Sequence, residues 1–336
     1  MNILITSGGT KVPIDRVRSI TNMSRGTFGS KIADAFFKEG LAAFNGASEK
    51  SKIEKITFFM AKGSRLPIAQ SLNEETFEDG YQPIEYVEYS TFDEYKDGLE
   101  KILKKDFYEI IVAAAAVSDY GVKNYVDGKI HSSDSMTIEL FPLPKVLPMI
   151  RKWSPLSVLC GFKLLVDSTR EELIEAMKKQ IDDSNVDLVV GNDLRDIKAD
   201  DHKLLIMRND ESKSLSEYEQ ASKELRKPND NFLAESVAKE CISFLNKKLP
   251  MVEPTKKYSA CDANGIDFRY TYGSMTEKRI ICNSLKELAY NIAYYYHRSA
   301  AYLMVWKSSK WEKADEDSQK EFNTLLDMAF WYRESR

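Results

Sequence analysis

The chain has few of the residues that build metal sites and disulfide frameworks. Its 336 residues include only four cysteines and three histidines. No two cysteines have the CxxC spacing of a zinc ribbon or a redox pair. Cysteines scattered in this way through a long chain are typical of reduced thiols in an intracellular protein. The sequence therefore suggests neither a structural zinc site nor a disulfide framework.

The chain also lacks an excess of positive charge and any long apolar run. Its 48 lysines and arginines are outnumbered by 52 acidic residues, for a net charge of −4. Nucleic-acid binders are usually basic, because phosphates must be neutralised. No window reaches the roughly 20 apolar residues of a membrane span, and MNILITSGGT is not a signal peptide. We therefore expect a cytoplasmic protein without nucleic-acid or membrane partners.

Hydrophobic residues, at 43% of the chain, recur in a regular order that predicts the fold. Short apolar runs typical of strands alternate with segments of helical spacing. The predicted strands are 2–6, 55–60, 84–89, 109–117, 157–162, 187–191 and 202–208. The predicted helices are 24–40, 91–105, 168–183 and 231–246, and Gly40 is expected to end the first as a C-cap. This alternation predicts a Rossmann-like, doubly wound, mostly parallel α/β sheet, with ligands beyond the carboxyl ends of the strands.

The composition changes after residue 250, where three of the four tryptophans lie. We expect residues 250–336 to form an aromatic-rich, mainly helical extension. A hairpin is predicted over 257–272, turning at Asn264-Gly265, and helices over 285–306 and 319–332. An appended layer over the core and a surface for a partner are both open as its role.

The first predicted strand ends in a glycine turn that could hold an anion. Ser7-Gly8-Gly9-Thr10 is followed by a second small-residue stretch containing Ser24, Gly26 and Gly29, just where a helix is predicted to begin. Glycines let backbone N–H groups approach a phosphate, and a helix N-terminus adds partial positive charge. The spacing is neither a P-loop nor GxGxxG, so a phosphate site and a merely tight turn are both open.

The strand 109–117 ends in a run of small residues, Ala113, Ala114 and Ala115, followed by Asp119. Small side chains allow a flat group to lie against the backbone, and Asp119 could orient a base or hold a cation. Packing of the alanines under a helix, with Asp119 capping a turn, is the competing interpretation.

Other candidates lie on later segments. Lys129 could neutralise charge at phosphorus, although a lone lysine is usually a solvated surface charge. His131 beside it is a weaker candidate for a base. Phe162 could stack on a nucleotide or pack in the core, and Lys178 and Lys179 could reach phosphates or lie exposed. The long connections 61–83 and 120–135 are typical of lids.

Five of these segments together resemble one enzyme family. The N-terminal motif reads ILITSGGTKVPIDRVRSITNMSRGTFG, and AAAAVSDY, GKIHSS, GFKLLVD and DLVVGNDL follow in order. In this order they resemble the phosphopantothenate–cysteine ligase family, specifically its monofunctional type. The resemblance implies a ligase domain over residues 1–247 and leaves the role of 250–336 open. It does not imply flavin, because the decarboxylase domain of the fused bacterial enzyme is not part of the match.

The resemblance implies a nucleotide-dependent ligation in coenzyme A biosynthesis. The nucleotide activates the carboxylate of 4′-phosphopantothenate as an acyl-nucleotidylate and releases pyrophosphate. The amine of L-cysteine then displaces the nucleoside monophosphate. CTP is favoured over ATP, Mg²⁺ accompanies the nucleotide, and the metal ligands are unknown. A homodimer is expected, in which the neighbouring subunit helps to close the site.

The same resemblance implies three kinds of site residue. Asn22, Lys129 and Arg18 are expected to be catalytic, with Arg18 one helical turn before Asn22. Asn22 and Ala115 are expected to contact 4′-phosphopantothenate. The residues implied for the nucleotide are Ser24, Gly26, Gly29, Ala113, Ala114, Ala115, Asp119, Lys129, Phe162, Lys178 and Lys179.

Two departures from the family pattern keep other functions open. Leu143-Pro144-Lys145-Val146 stands, as in the monofunctional type, where the bacterial enzymes have N-P-D-I, and one phosphate-clamping lysine is missing or relocated. A Rossmann-type NAD(P) oxidoreductase is one alternative, although no GxGxxG follows the first strand. A non-catalytic nucleotide-binding or scaffolding module is the other, and the altered lysines favour it.

Overall fold

The protein is described by a computed structural model that divides into two compact units, Met1–Leu245 and Asn246–Arg336. The described residues are 1–44, 53–68, 83–131, 136–198, 203–210, 212–219, 231–248, 258–261, 269–272, 276–279, 288–289, 292, 302–307 and 310–334. Among the described helices, none combines the length and the apolar character that crossing a bilayer requires.

The first unit contains twelve strands and six helices in its described residues. The strands are β1 (Asn2–Ser7), β2 (Lys11–Pro13), β3 (Ser19–Thr21), β4 (Lys55–Ala61), β5 (Ile84–Tyr89), β6 (Ile110–Ala113), β7 (Tyr120–Val122), β8 (Leu140–Pro142), β9 (Val158–Leu165), β10 (Leu188–Asp193), β11 (Lys203–Arg208) and β12 (Leu215–Glu219). The helices are α1 (Thr27–Phe44), α2 (Phe92–Lys105), α3 (Leu147–Trp153), α4 (Arg170–Ser184), α5 (Leu194–Lys198) and α6 (Phe232–Lys248).

An eight-stranded sheet forms the centre of this unit, in the order β12-β11-β10-β9-β6-β1-β4-β5. The six neighbouring strands β5, β4, β1, β6, β9 and β10 run parallel to one another. The strand β11 pairs antiparallel with both β10 and β12. The chain builds outward from β1 through β4 to β5 and then returns to β6 on the other side of β1. This order confirms the predicted doubly wound, mostly parallel sheet. Its topological switch point lies between β1 and β6, where such sheets bind ligands.

The sheet is buried on both faces, which explains the continuous apolar runs of its strands. Ile3, Leu4 and Ile5 of β1 have no exposed surface. In β9, a Cβ at Gly161 would lie 2.6 Å from Gln180 of α4. The ring of the next residue, Phe162, contacts the ring of Phe28 of α1. Because neighbouring residues of a strand point to opposite faces, α1 and α4 cover opposite sides of the sheet.

The first helix and the alanine strand differ from the sequence-based prediction. The helix begins at Thr27 and runs through Gly40 to Phe44, so Gly40 is not its C-cap. Buried Phe36 and Phe37 anchor this part of the helix, and their packing outweighs the roughly 1 kcal/mol that an interior glycine costs. The strand predicted over 109–117 leaves the ladder at Ala113, because the residues beyond it bond to the glycine turn instead.

The structure describes the two long connections predicted from the sequence to different extents. In the connection 120–135, residues 120–122 form β7, which pairs with β8 as a short antiparallel arm, here called the β7–β8 arm. Most of the connection 61–83 lies outside the described residues, and so do residues 132–135.

The second unit contains strands as well as helix. Its described elements are β13 (Tyr258–Cys261), β14 (Arg269–Tyr272), β15 (Thr276–Arg279), β16 (Tyr302–Lys307), β17 (Lys310–Lys313) and α7 (Glu316–Glu334). The helix predicted over 319–332 is confirmed within α7. The hairpin predicted over 257–272 is wrong, because β13 pairs with β16, and β14 pairs with β15.

The helix predicted over 285–306 is wrong at its carboxyl end, where 302–307 form β16. Tyr302, Val305 and Trp306 are β-branched or aromatic residues that favour strands, and the strands on either side supply the hydrogen bonds. The predicted helix also included Tyr290, Tyr294 and Tyr295, which lie outside the described residues. The extension is therefore a mixed unit rather than a helical layer.

Candidate functional site

The carboxyl ends of β1 and β6 form the floor of the candidate site. Thr6 lies opposite Ala113 in the ladder, and its Oγ1 accepts a 3.1 Å hydrogen bond from the Ala115 N–H. Beyond the strands, the Ala116 N–H donates to the Gly8 carbonyl at 2.8 Å, and the Thr10 N–H donates to the Ala116 carbonyl at 3.2 Å. The glycine turn and the alanine run are therefore held side by side at the switch point.

The start of α1 packs directly against the end of β1. A Cβ at Gly29 would lie 2.4 Å from the Ser7 Oγ, so only glycine allows this approach. Gly26 has a φ of +72°, a conformation that glycine adopts without strain, and its carbonyl accepts a 3.0 Å bond from Ser7. The first N–H groups of a helix have no partner within the helix. The close packing brings those of α1 to the glycine turn, where they can bind an anion.

Asn22 reaches the same place from the loop before α1. Its Nδ2 donates a 2.9 Å hydrogen bond to the Ala116 carbonyl, and its side chain is exposed. A Cβ at Gly9 would lie 2.9 Å from the Asn22 carbonyl oxygen, so the backbone of this loop lies close to the turn. The structure therefore holds Asn22 against Ala116, which directly follows Ala113, Ala114 and Ala115.

Ser24 lies outside the first helix, which was predicted to begin there. The helix begins three residues later, and the Ser24 Oγ accepts a weak 3.4 Å bond from the Gly26 N–H. Gly26, with its positive φ, occupies the position directly before the helix. Ser24 is exposed beside the turn, where its predicted role as a phosphate ligand stays a prediction.

Phe162 lies beside the start of α1. Its ring meets the ring of Phe28 edge to face at a centroid distance of 6.1 Å, and both residues are half-buried. The pair forms an apolar surface next to the glycine turn. Such a surface can pack in the core and also support a flat ligand, which were the two interpretations of Phe162 from the sequence.

Asp119 follows the alanine run and forms an ion pair with Lys145 at 2.5 Å. Both side chains are largely exposed, and the Leu143 N–H also donates to the Asp119 carbonyl at 2.8 Å. The segment that departs from the family pattern therefore lies beside Asp119 and changes its charge environment. Lys145 was not among the predicted site residues.

Lys129 lies on a segment that is bonded to the loop preceding β3. The Val126 N–H donates to the Ile14 carbonyl at 3.1 Å, and the Arg16 N–H donates to the Gly128 carbonyl at 3.0 Å. The Lys129 side chain itself is exposed, as is that of His131.

Arg18 does not lie one helical turn before Asn22, because β3 occupies residues 19–21. Its guanidinium binds Asp15 at 3.0 Å and 2.6 Å and donates to the Ile130 carbonyl at 2.6 Å. Asp15 leads the D-x-V-R part of the N-terminal motif, so the guanidinium is held by its own motif rather than directed at Asn22. The expected helical spacing of Arg18 and Asn22 is therefore wrong, whereas the catalytic role expected for Arg18 stays a prediction.

Lys178 and Lys179 lie apart from the glycine turn. Both are exposed on α4, which covers the face of the sheet opposite α1, and Lys179 pairs with Asp183 at 3.3 Å. The neighbouring Gln180 is the residue that reaches the sheet, donating to the Phe162 carbonyl at 3.3 Å. The structure therefore does not bring these lysines to the other predicted site residues.

Several residues around the turn were not predicted from the sequence. Thr10 is buried, its Oγ1 accepts a 2.8 Å bond from the Ser118 N–H, and its carbonyl accepts from Thr21 at 3.1 Å. The Tyr89 hydroxyl donates to the Ser7 carbonyl at 2.7 Å. A Cβ at Gly8 would lie within 2.1 Å of the Ser64 Oγ. No local pattern marks Tyr89 or Ser64, because they reach the turn only through the sheet order.

A second concave feature lies at the carboxyl end of β10. It is a pocket of about 140 Å³ whose lining includes Ser168, Arg170, Asp193, Arg195 and Lys203. The Asp193 carboxylate accepts from the N–H groups of Ser168 and Arg195 at 2.8 Å and 2.9 Å. The Ser168 N–H bond contributes most to lowering the pKa of Asp193 to about 2, against the opposing effect of burial.

The described residues contain no group of three or more His, Cys, Asp or Glu side chains arranged to hold a metal ion. Mg²⁺ in nucleotide sites is bound largely by the phosphates, with one or two carboxylates and water. Asp119 is the carboxylate nearest in sequence to the alanine run and could serve in that way.

A family model described as the DNA/pantothenate metabolism flavoprotein C-terminal domain matches residues 1–57 and 78–230 of the chain. The coenzyme A biosynthesis bifunctional protein CoaBC of Thermococcus kodakarensis is 33% identical over 213 residues, which are 63% of this chain and 46% of that protein. The chain therefore spans less than half the length of this relative.

Phosphopantothenate–cysteine ligase of Mus musculus is 26% identical over 260 residues, covering 66% of this chain and 81% of that protein. Among solved structures, a Cab2 mutant in complex with phosphopantothenate-cysteine has a TM-score of 0.57 at 22% identity, covering 74% of this chain and 87% of that one. The DNA/pantothenate metabolism flavoprotein from Streptococcus pneumoniae has a TM-score of 0.55 at 24% identity, covering 74% and 99%. At these identities the structures support the fold alone.

Proposed function

The chain belongs to the DNA/pantothenate metabolism flavoprotein C-terminal domain family, and from this membership we propose that it is a phosphopantothenate–cysteine ligase of coenzyme A biosynthesis. One structural observation carries the proposal: the glycine turn, the start of α1, Asn22 and the alanine run meet at the switch point of the sheet. The names of the curated relatives supply the substrates, phosphopantothenate and cysteine.

The proposed reaction has two steps and uses the nucleotide as a co-substrate. A carboxylate oxygen of 4′-phosphopantothenate attacks the α-phosphorus of the nucleotide, and pyrophosphate leaves with the electron pair of the broken P–O bond. The cysteine amine then attacks the acyl carbon of the acyl-nucleotidylate, loses a proton, and displaces the nucleoside monophosphate. The protein must bring two anions together and stabilise the added charge on phosphorus.

The described residues can meet these demands with backbone dipoles and a few side chains. The start of α1 packs against the end of β1 and the glycine turn, and its N–H groups would bind the phosphates. The Asn22 amide, held by the Ala116 carbonyl, would hold the substrate carboxylate beside the alanine run. Lys129 would neutralise charge at the reacting phosphorus, and the Phe28–Phe162 surface would lie along the nucleotide.

We propose CTP rather than ATP as the preferred nucleotide, with Mg²⁺ bound to its phosphates. The test is product formation detected by mass spectrometry with each nucleotide, with and without excess EDTA. Formation of phosphopantothenoylcysteine that is faster with CTP and abolished by EDTA is the expected result. If no nucleotide yields the product, the ligase assignment is wrong. Raised thermal stability with CTP in the absence of turnover would instead favour a nucleotide-binding module.

We propose that the active form is a homodimer in the cytoplasm. The β7–β8 arm exposes several large apolar side chains, including Tyr120 at 57%, Leu140 at 46% and Phe141 at 43%. Exposed apolar side chains clustered on one short arm are typical of an interaction surface. A second copy of the chain that covers this arm would also lie near Asp119, at the base of β7. Sedimentation analysis tests the dimer, and cell fractionation tests the location.

A further inference from the structure

Asp15 is a carboxylate with more hydrogen bonds than its own turn requires. Its side chain has no exposed surface. One oxygen accepts from the N–H groups of Val17 and Arg18 at 2.8 Å and 2.7 Å, which closes the local turn. The other oxygen accepts from the Arg18 guanidinium and, at 3.1 Å, from the N–H of Ile130. The last contact connects residues 115 positions apart in the sequence.

The Asp15–Arg18 pair holds both backbone polar groups of Ile130. Asp15 accepts the Ile130 N–H, and Arg18 donates to the Ile130 carbonyl at 2.6 Å. Two residues earlier, the Gly128 carbonyl accepts from the Arg16 N–H at 3.0 Å. Lys129 therefore has its backbone held on both sides while its side chain extends into solvent.

The electrostatics of Asp15 agree with this geometry. Burial alone would raise the pKa of the Asp15 carboxyl, but the N–H donors of Ile130 and Val17 and the Arg18 side chain hold that pKa well below its usual range. The carboxylate is therefore charged at neutral pH. A buried ion pair is weak evidence for added stability, so its value must be sought in the geometry that it imposes.

We infer that Asp15 is a positioning residue, which acts with Arg18 to fix the backbone of the segment that carries Lys129. The inference rests on the proposed ligase function of Lys129. A lysine that neutralises charge at phosphorus must be placed closely, because a displacement of about 1 Å can reduce a rate on the order of 100-fold. The bonds to Val17 and Arg18 suffice for a turn, whereas those to Ile130 connect the turn to the lysine.

Asp15→Asn is the variant that tests the inference. Asparagine keeps one oxygen for the turn, but it removes the charge that holds Arg18 and can present an NH₂ group to the Ile130 N–H. We expect kcat to fall on the order of 100-fold with little change in the KM of any of the three substrates, as for an interaction made mainly in the transition state.

Asp187→Asn provides a matched control at the other end of the sheet. Asp187 is also a buried carboxylate that pairs with an arginine, Arg151, and accepts a backbone N–H, that of Leu159 at 2.8 Å. Each variant removes the charge of one buried carboxylate that pairs with an arginine, so both should lower the melting temperature. Only Asp15→Asn should lower kcat by this amount. Equal falls of kcat in the two variants would overturn the inference.

A double-mutant cycle separates positioning from a structural role. If Asp15 acts through Lys129, adding Asp15→Asn to Lys129→Ala should change kcat little further. Rate losses that multiply in the double variant would show that Asp15 acts independently of the lysine and would overturn the inference.

Hydrogen exchange tests the positioning even if the chain proves not to be a ligase. The Ile130 amide should exchange faster in Asp15→Asn than in the wild type, and Asp187→Asn should leave that amide unchanged. Unchanged exchange at Ile130 in Asp15→Asn would overturn the inference whatever the activity. Absence of product from the wild type, with faster exchange at Ile130, would remove the ligase function but not the positioning contact.

Discussion

At the residue scale, Asn22 shows how one amide can join two parts of a site. Its Nδ2 donates to the Ala116 carbonyl, so the loop before α1 is held against the end of the alanine run. An aspartate at this position would place a carboxylate oxygen against that carbonyl and, in the proposed reaction, add negative charge beside two anionic substrates. We therefore expect the proposed reaction to need the amide for both geometry and charge.

Asn22→Asp and Lys129→Ala should each lower the rate of phosphopantothenoylcysteine formation on the order of 100-fold or more, because each removes stabilisation of charge in the transition state. Lys104→Ala is the control, because it removes an exposed lysine of α2 that pairs with Glu100. Product formation is measured at saturating substrates, and circular dichroism checks the fold. Near-normal rates in both site variants would show that the transferred roles are wrong.

Asp193 makes the stability of the fold depend on acid pH. Its pKa of about 2 lies below the usual value of about 3.9 for an unfolded chain. The carboxylate therefore contributes stability above about pH 4, and this contribution is lost as the pH falls toward 2. The urea midpoint of the wild type should decrease across this range. Asp193→Asn should show a lower midpoint at pH 6 and a flatter acid dependence, and an equally steep decrease would contradict the assignment.

At the element scale, two helices of the first unit begin with capping boxes, which have a T-x-x-E pattern in the sequence. Thr91 and Glu94 cap α2, and Thr169 and Glu172 cap α4, with each threonine accepting from the backbone of the glutamate. The acceptor satisfies an N–H group that the helix leaves unpaired, and it sets the residue at which the helix begins. These boundaries agree with the predicted helices to within two residues.

Thr91→Ala should lower the free energy of unfolding by about 1 kcal/mol, because the N-cap acceptor of α2 is lost. Thr91→Ser keeps the hydroxyl and should retain most of this stability. Urea denaturation followed by circular dichroism measures the difference. Equal stability of the alanine and serine variants would show that the cap contributes nothing to this helix.

At the scale of the whole molecule, the exposed β7–β8 arm predicts self-association. In a two-fold symmetric dimer each substitution occurs twice in the interface. Leu140→Glu should therefore raise the dimer dissociation constant by about tenfold or more, equivalent to about 1.4 kcal/mol. Ile197→Glu is the control, because Ile197 is a comparably exposed apolar residue of α5. Sedimentation equilibrium that shows the same mass for both variants and the wild type would exclude this arm as the interface.

The limits of prediction can be seen in particular elements. The apolar runs of β1, β4 and β10 were predicted to within two residues, because strands buried on both faces contain almost only hydrophobic side chains. Most of β16 was predicted as helix, because its residue pattern in isolation is ambiguous. Its pairing partners are β17, which follows directly, and β13, whose paired residues lie 41 or more positions earlier in the sequence. The assignment of residues 1–247 as the ligase domain stays a prediction. The roles expected for the individual site residues also stay predictions.

The sequence by itself determined the alternation of strands and helices, the glycine turn and the motifs that resemble the ligase family, since each depends on neighbouring residues. Only the tertiary structure decided which of these segments meet. The sheet order places β6 beside β1 and so brings Asn22 to Ala116. Neighbouring side chains of β9 meet α1 and α4 on opposite faces of the sheet, so Lys178 and Lys179 of α4 lie on the face away from α1. Contacts such as that between Asp15 and Ile130 join distant residues, and no local pattern specifies them.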